Sequence, residues 1–395
     1  MRRGGISACL FYLAVLAFGS TAWARTSIIP LPAVGVSRND GVEVGNLTAF
    51  LISDDAGVVH AILAPSATYN SVIHLNVVFR LFWYGTGDRD LSLIIGHSTG
   101  KDQEYTVTFR DPFVWKNRLS LDGRISFERD SRSRFFGLGP YSPSTNETNY
   151  TQNEFEGFGA VAWNLTRAFR LSVGQHIQVF GVNEGSVDTL PFIGALFPQA
   201  PGITGATILG HRFSAVADTR DDQTTPTRGR YGEAFIEFLN AFEDERSIPF
   251  IRGGVEGSVL LPSSNKRLTT VAHVRVEFGT RGDAPIFAQG HLGGDATLRG
   301  FGDDRFIDRH LFLVNIEERI KVLEIPLFGV VTEWEVDPFI DAGKVFHRIH
   351  ALLDRVQVNP GVGFRALVRP NVVGRVDLAA GRDGLATFVG IDFPF

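Results

Sequence analysis

Long stretches of this chain alternate apolar and polar side chains with a period of two residues. The pattern runs through 118–128, 169–179 and 271–278, where one set is aliphatic or aromatic and the opposing set carries Arg, Glu, His and Ser. A period of two is that of a β-strand whose faces meet different environments. The strands predicted from this pattern run roughly 10–14 residues, the length that a tilted strand needs to cross a bilayer, against a usual length of ~5–6 in soluble sheets. The pattern therefore predicts membrane-spanning strands.

The C-terminus, Gly390-Ile391-Asp392-Phe393-Pro394-Phe395, has the pattern of a closing barrel strand. Its odd-numbered residues form an apolar row that we expect to face lipid, and the intervening small or polar residues would face a lumen. The G-x-x-F-x-F spacing also resembles the C-terminal signal that the barrel-assembly machinery recognises. We therefore predict an assembly signal at Gly390, Phe393 and Phe395. The alternative is a soluble sheet protein that happens to end in Phe.

The N-terminus agrees with export. Arg2 and Arg3 precede a short apolar run at 6–18, and Ala22-Trp23-Ala24 is a small-x-small cleavage site. This predicts a cleaved signal peptide at 1–24 and an outer-membrane location in a Gram-negative bacterium. The chain's one cysteine, Cys9, lies inside the apolar run. The mature chain would therefore be exported without a disulfide.

Composition narrows the class further. Beyond the signal peptide, no apolar run reaches the ~18 residues of a transmembrane helix. The chain has 33 Phe and 43 Gly, and barrels use aromatic residues as girdles at the membrane interfaces. Its formal charge of −5 offers no basic excess for phosphates, so a nucleic-acid partner is excluded. No cofactor and no metal site are expected.

The fold class predicted is all-β: a transmembrane antiparallel β-barrel of about 16 strands. The domains predicted are a short periplasmic lead segment at 25–57 and an outer-membrane barrel at 58–395. Long connections at 131–151, 181–206, 281–309 and 347–357 would lie outside the cell. The expected strands are 58–68, 70–83, 87–98, 101–112, 117–130, 152–164, 167–180, 207–220, 229–242, 249–262, 266–280, 310–322, 333–346, 358–369, 372–381 and 384–395.

The long connection 281–309 contains the motif Arg299-Gly300-Phe301. Together with the acidic segments at 315–319 and 339–343, and the Asp218-Thr219-Arg220-Asp221 segment, it resembles the bacterial surface-antigen superfamily of outer-membrane assembly barrels, which includes BamA- and TamA-like proteins. The resemblance implies that the extracellular loop folds into the lumen and that Arg299 docks on Glu317 and Asp341, with Gly343 completing the second acidic motif. Such pairing is physically reasonable, because a buried guanidinium needs carboxylates.

The resemblance implies a role in assembling or translocating proteins at the outer membrane. Its expected partners are outer-membrane lipid and lipopolysaccharide, the barrel-assembly machinery during biogenesis, and unfolded outer-membrane or secreted protein clients. Family insertases carry periplasmic POTRA-type repeats, and we identify none in this sequence. A passive channel or structural barrel without insertase activity therefore stays open as the alternative.

No enzymatic activity is expected. Gly96-His97-Ser98-Thr99-Gly100 matches G-x-S-x-G, but a nucleophile elbow needs a helix directly after it, and 104–109 alternates as a strand. The segment is better explained as a hairpin turn. His347 and His350 have no third metal ligand near them in the sequence.

Two prolines suggest a weak point in the barrel. Pro65 falls in the first predicted strand and Pro394 in the last, and these two strands would meet when the barrel closes. Proline cannot donate to a ladder. We therefore hypothesise a weakened seam there, the alternative being that strand ends simply tolerate proline.

Overall fold

A computed structural model describes residues 25–37, 41–85, 89–327, 330–349, 354–369, 372–391 and 393–395. Within these ranges, one antiparallel sheet of 19 strands dominates the fold, beside a separate two-stranded hairpin. No helix among the described residues is long and apolar enough to cross a membrane. The predicted signal peptide at 1–24 lies outside the described residues.

The strands follow one another as a meander. In chain order they are β1 Arg25–Ser37, β2 Gly41–Ser53, β3 Val59–Leu63, β4 Ser66–Asn70, β5 His74–Tyr84, β6 Asp90–Ser98, β7 Gln103–Phe113, β8 Leu119–Phe135, β9 Thr148–Asn164, β10 Phe169–Glu184, β11 Ala206–Asp218, β12 Gly229–Glu243, β13 Arg246–Pro262, β14 Leu268–Gly279, β15 Gly290–Leu292, β16 Phe306–Asp308, β17 His310–Leu327, β18 Val330–Phe346, β19 Gln357–Val368, β20 Val372–Gly381 and β21 Gly384–Ile391. Single helical turns occur at Ser144–Asn146, Ile193–Leu196 and Ile286–Ala288. The turn Val114–Asn117 has left-handed backbone at Trp115 and Lys116.

The meander closes on itself. Apart from β3 and β4, which both pair with β2 and β5 and not with each other, each strand of the large sheet pairs antiparallel with its neighbour in sequence. β14 pairs with β17 across the long loop that holds β15 and β16. At the two ends of the meander, a Cβ placed on Gly35 in β1 would lie 3.8 Å from Val389 Cγ2 in β21. The first and last strands are therefore neighbours, and the sheet is a barrel. The all-β barrel prediction is confirmed.

The strand count needs one correction. β3 and β4 both pair with β2 on one side and with β5 on the other, so they are two halves of one strand interrupted at Ala64 and Pro65. The 19 strands of the sheet thus occupy 18 positions around the barrel. The sixteen strands predicted from residue 58 onward each overlap one of these positions. The two additional positions are β1 and β2.

The segment 25–57 is therefore not a lead segment before the barrel. It forms the β1–β2 hairpin, which is paired from Arg25 opposite Ser53 to Ser37 opposite Gly41. Its prolines and weak periodicity argued against a strand, but proline is tolerated on an edge whose N–H groups have no ladder partner. The barrel begins at β1, and its apolar inner residues Ile29, Ala49 and Leu51 pack together inside.

The two faces of the barrel differ as the alternation predicts. On β10, the exposed side chains Leu171, Val173 and Ile177 lie on the outside. The interior carries charged groups instead, such as Arg212, which pairs with Glu233 and Glu237 at 2.8 Å each. An apolar exterior and a charge-paired interior are what a barrel needs when lipid surrounds it.

The last strand is shorter than predicted. β21 ends at Ile391, and Phe393 and Phe395 do not continue the lipid-facing row. Phe395 instead stacks on the interior side chain His273, with ring centroids 4.9 Å apart. The alternation of 384–395 was compatible with a longer strand. The tail turns inward because the interior offers its rings cationic and aromatic partners.

Connections at the two ends differ in length. The long ones, 136–147, 185–205 and 280–309, lie at one end of the barrel. Ile193 and Ile286 from the last two pack in one apolar cluster with Phe135 of β8, and Gly139 N–H in the first donates to Ile307 O at 2.8 Å. At the opposite end, most connections are short. This matches the expected arrangement of long extracellular loops and short periplasmic turns.

Candidate functional site

The loop between β14 and β17 folds into the barrel and doubles back on itself. Gly293 and Gly294 have φ of +119° and +95°, a region that favours glycine. Gly294 N–H donates to Phe301 O at 3.1 Å, which closes the turn. Phe301 is 1% exposed and packs in a buried cluster with side chains of β17 and β18. Turn and cluster together place Arg299 against the barrel wall.

Arg299 is held by two carboxylates on neighbouring strands. Its Nε and Nη2 donate to Oδ2 and Oδ1 of Asp341 at 3.0 and 2.8 Å, a bidentate pair. Its Nη1 donates to Glu317 Oε2 at 2.8 Å, and its backbone N–H also reaches Asp341 Oδ2 at 3.1 Å. All three side chains have an exposed fraction of 0%. The structure thus brings together the three residues that the sequence grouped, whereas their functional role stays a prediction.

An aromatic ring completes the Arg299 site. The Phe339 ring lies on β18, two residues before Asp341, and its centroid is 3.3 Å from Arg299 Cζ. A guanidinium stacked on a ring and paired with carboxylates fits this environment better than a lysine would, because its planar fork satisfies both kinds of contact.

The network around Arg299 is larger than the sequence motif indicates. Arg365 Nη2 lies 2.8 Å from Asp377 Oδ1, and its Nε lies 3.3 Å from Asp337 Oδ2. Arg319 and Arg375 extend the network through pairs with Glu317 and Asp377, both at 3.1 Å. Four guanidinium groups face the four carboxylates Glu317, Asp337, Asp341 and Asp377, so the buried group is formally neutral, as burial requires. The alternation of β17 to β20 was the signal that could have revealed these residues.

Two glycines allow the loop and the wall to approach closely. A Cβ on Gly300 would lie 2.3 Å from Asn359 Nδ2 and 2.9 Å from Ala380 C, so any side chain there would collide with β19 and β20. A Cβ on Gly343 would lie 2.9 Å from Phe312 O on the adjacent strand. Both of these predicted site residues therefore act through the absence of a side chain.

The predicted assembly-signal residues lie beside the same network. The Phe393 ring centroid is 3.5 Å from Arg319 Cζ, and the Phe395 ring centroid is 5.7 Å from Arg299 Cζ. A Cβ on Gly390 would lie 2.9 Å from Arg375 Nε, so this position also faces the network. The structure places these residues in the interior. The prediction that they form an assembly signal is not tested by this placement.

A connection from the short-turn end also enters the interior. In the segment 219–228, which joins β11 and β12, the carbonyl of Pro226 accepts from Arg319 Nη1 at 3.4 Å, and that of Thr225 accepts from Arg369 Nη1 at 2.7 Å. Loop, tail and this segment thus meet in the interior. Beside them, a cavity of about 350 Å³ is lined by Leu31, Leu47, Phe82, Phe395 and other side chains.

The arrangement can bind and hold chain segments, as it does the loop and the C-terminal tail. Among the described residues, no group of three or more His, Cys, Asp or Glu side chains could hold a metal ion. The Gly96 to Gly100 segment spans the end of β6 and the turn into β7, where Ser98 Oγ accepts from Asp102 N–H at 2.9 Å. It is therefore a hairpin turn, as the sequence indicated.

Comparison with known proteins identifies the family. The model of the Omp85 superfamily domain matches residues 83–360. The solved structure of BamA from Haemophilus ducreyi lacking POTRA domains 1-3 is similar, with 11% identity and a TM-score of 0.54 over 98% of this chain and 77% of that chain. CdiB from Escherichia coli has 12% identity and a TM-score of 0.54 over 95% of this chain and 63% of that chain. This chain thus spans less than two thirds of CdiB.

At these identities, the two structures establish a shared fold only. No curated protein sequence matches this chain. The domain match, however, covers well over half of the residues, and the predicted resemblance to the surface-antigen barrels is confirmed by it. The chain belongs to the Omp85 superfamily.

Proposed function

We propose that this barrel assists the assembly or translocation of unfolded outer-membrane or secreted polypeptides at the outer membrane of a Gram-negative bacterium. The observation that carries the proposal is the seam between β1 and β21. These strands are neighbours, yet the described residues form no β-ladder between them, whereas every other adjacent pair is laddered. An unpaired strand edge is a template for an incoming strand.

The chemistry of β1 explains why the seam is weak. Thr48 N–H donates to Pro65 O at 3.0 Å, away from β1. An antiparallel residue directs its N–H and C=O to the same side, so the backbone of Pro30, which lies opposite Thr48, points away from β2 and toward the seam. Pro32 points the same way two residues later. Proline has no N–H, so the seam edge lacks two donors in the middle of β1.

Pro65 and Pro394, the two prolines predicted at the seam, do not lie in its strands. Pro65 lies between β3 and β4, inside the sheet, and its carbonyl bonds to Thr48. Pro394 lies buried in the tail rather than in a strand. The seam hypothesis is kept, but it now rests on Pro30 and Pro32 and on the early end of β21.

The pairing of Arg299 with Glu317 and Asp341, which holds the loop on the barrel wall, supports the same proposal. The Arg299 network anchors the loop on β17 and β18, and the tail that follows β21 contacts this network through Phe393 and Phe395. The interior is thereby occupied while one side of the barrel remains unladdered. We propose that Arg299, Glu317 and Asp341 hold the loop in its docked position and have no catalytic role.

The test uses a disulfide across the seam. The Cβ positions of Gly35 and Val389 are 3.9 Å apart, within the usual range of about 3.5–4.5 Å for a disulfide. The variant Gly35→Cys/Val389→Cys is reconstituted in liposomes, and membrane insertion of an unfolded small outer-membrane protein is followed. Val161→Cys/Val173→Cys, which joins the directly opposed residues of β9 and β10, is the matched control. An unrelated sixteen-stranded barrel and Arg299→Ala are run alongside.

We expect the wild-type barrel and the oxidised control pair to accelerate insertion relative to the unrelated barrel. The oxidised seam pair and Arg299→Ala should lose this acceleration, and reduction should restore it in the seam pair only. Equal acceleration with the seam locked would overturn the seam route. No acceleration by any variant would favour the passive channel or structural barrel, for which ion conductance is the decisive measurement.

A further inference from the structure

The outer face of the barrel carries two polar side chains in an apolar belt. Gln175 on β10 is exposed between the outward residues Val173 and Ile177. His211 on β11 is exposed between Leu209 and Phe213 and lies directly opposite Gln175. Six residues separate Gln175 from the start of β10, which at a tilt of about 45° places it near the middle of the ~25 Å apolar band of a barrel.

The two side chains satisfy each other only in part. Gln175 and His211 form one hydrogen bond between the side-chain amide and imidazole Nδ1. If the amide N–H donates, then His211 Nε2–H and Gln175 Oε1 are left over, and if the amide is flipped, the leftover groups exchange roles. The second amide N–H is left over as well, so in either case at least one donor and one acceptor remain, for which the described residues provide no partner.

Such leftover groups are costly in lipid. The hydrocarbon core contains no water to accept or donate, and an unsatisfied polar group costs free energy there. A hydrocarbon chain packed on this surface could not satisfy either group. The surface therefore favours a neighbour that supplies one acceptor and one donor at the same depth of the membrane.

The surface next to this pair is recessed. Gly159 on β9 lies opposite Gln175, and Gly123 on β8 lies opposite Gly159. A Cβ on Gly159 would have no atom within 4 Å, so the backbone is open to the outside there. Small residues allow two membrane-embedded elements to approach closely. Gly123, Gly159, Gln175 and His211 together are called the outer polar patch.

The position of the patch relative to the seam is also informative. Counting the 18 barrel positions from β1, with β3 and β4 as one, β10 and β11 are the ninth and tenth. The seam lies between positions 18 and 1, so the patch is on the opposite side of the barrel. A neighbour bound at the patch would leave the seam free.

We propose that the outer polar patch is the contact between two copies of this chain, side by side in the membrane around a two-fold axis along the membrane normal. The argument is hydrogen-bond complementarity. A second copy presents the same leftover donor and acceptor at the same depth, so the two copies can form two reciprocal bonds. Membrane insertion gives all copies the same orientation, which is what this symmetry requires. Both seams would then face lipid on the far sides of the dimer.

The first experiment is thiol crosslinking of the full mature barrel in liposomes. The one cysteine of the sequence, Cys9, lies in the predicted signal peptide, so the introduced cysteine would be the only thiol of the mature barrel. Ile177→Cys, adjacent to Gln175 on the outer face, should give a covalent dimer with a short bis-maleimide. Ile340→Cys on β18, whose side chain is 52% exposed, is the matched control on another face and should stay monomeric.

The second experiment removes the polar pair. Gln175→Leu/His211→Leu in the Ile177→Cys background should lower the dimer yield about tenfold or more, a size compatible with two membrane hydrogen bonds. The variant should still fold, as shown by its heat-modifiable gel mobility, because leucine suits a lipid-facing site. Subunit counting by single-molecule photobleaching of labelled cysteine-free barrels should show the same loss.

Three results would overturn the proposal: unchanged dimer yield in the double-leucine variant, equal crosslinking at Ile340→Cys, or monomers only in photobleaching. Crosslinking in whole membranes to a different protein, absent with the purified chain, would assign the patch to a heterologous partner and would also overturn it. Seam-dependent insertion per barrel should be the same in the double-leucine variant, so this test and that of the proposed function can fail separately.

Discussion

Replacing Arg299 by methionine should release the loop from the barrel wall. The substitution keeps most of the side-chain length but removes the three guanidinium hydrogen bonds to Asp341 and Glu317. Asp341 would keep Asn315 Nδ2 at 2.7 Å, and Glu317 would keep Arg319 Nε at 3.1 Å. Asp341 therefore loses more than Glu317 does, and it becomes the least compensated charge in the buried network.

The expected magnitude follows from this loss. Removing one partner of a buried ion pair typically costs about 3–5 kcal/mol, because the remaining charge stays buried. We expect a loss of this size in the stability of the docked loop. Glu317→Gln should cost less, about 1–2 kcal/mol, because it removes a charge but leaves the Gln amide oxygen to accept from Arg299 or Arg319. Asp341→Asn should fall between the two.

Amide hydrogen exchange in detergent micelles is the appropriate assay, since it reports local opening. The amides of residues 294 and 299 donate to Phe301 O and Asp341 Oδ2 in the docked loop. In Arg299→Met, their protection should fall by more than a hundredfold, at about 1.4 kcal/mol per tenfold. Arg281→Met is the control in the same loop, because Arg281 pairs with Asp283 at an exposed site. A fall of less than tenfold in Arg299→Met would refute the reasoning.

Three further changes test other parts of the structure. Gly300→Ala should lower the stability of the docked loop by about 1–3 kcal/mol through overpacking, because the new Cβ would lie 2.3 Å from Asn359 Nδ2. The control is Gly232→Ala, whose Cβ would meet nothing within 4 Å and which should leave exchange protection of the loop nearly unchanged. Pro30→Ala/Pro32→Ala restores two seam donors, so disulfide formation in Gly35→Cys/Val389→Cys should become faster and more complete; slower formation would contradict the account of the seam. The His291–Asp304 pair in the loop, at 2.9 Å, should make docking pH-dependent. Burial acts to lower the pKa of His291, but the Asp304 carboxylate raises this pKa above its ordinary value. Burial acts to raise the pKa of Asp304, but the His291 imidazole lowers this pKa below its ordinary value. The histidine contribution is present below about pH 6.5 and is lost as pH rises through the raised pKa, and the aspartate contribution is present above about pH 4 and is lost as pH falls through the lowered pKa. Exchange protection of the loop should therefore be highest between these limits, and His291→Gln should abolish the alkaline decrease.

How far the sequence could predict the fold depended on how regular each strand was. Strands such as β10 and β14 were predicted within a few residues, because their faces meet lipid and interior and their side chains alternate accordingly. β1 was missed because Pro30 and Pro32 indicated a segment outside a sheet, whereas they lie on a strand edge that has no ladder partner. β21 was overextended because Phe393 and Phe395 keep the alternation after the backbone has left the sheet.

The sequence alone indicated the class of the molecule, since a period of two over spans long enough for a bilayer, together with an export signal and an aromatic C-terminus, favours a closed sheet in lipid. Its resemblance to the surface-antigen superfamily also implied which arginine and which carboxylates pair, through motifs on a loop and two later strands. Only the tertiary structure decided what surrounds them: the Arg365–Asp377 pair, the inward turn of the C-terminal tail, the unladdered contact of Gly35 with Val389, and the meeting of Gln175 with His211. The reason is physical, because these contacts join residues far apart in the chain, and local periodicity specifies the face on which a residue lies but not its neighbour across that face.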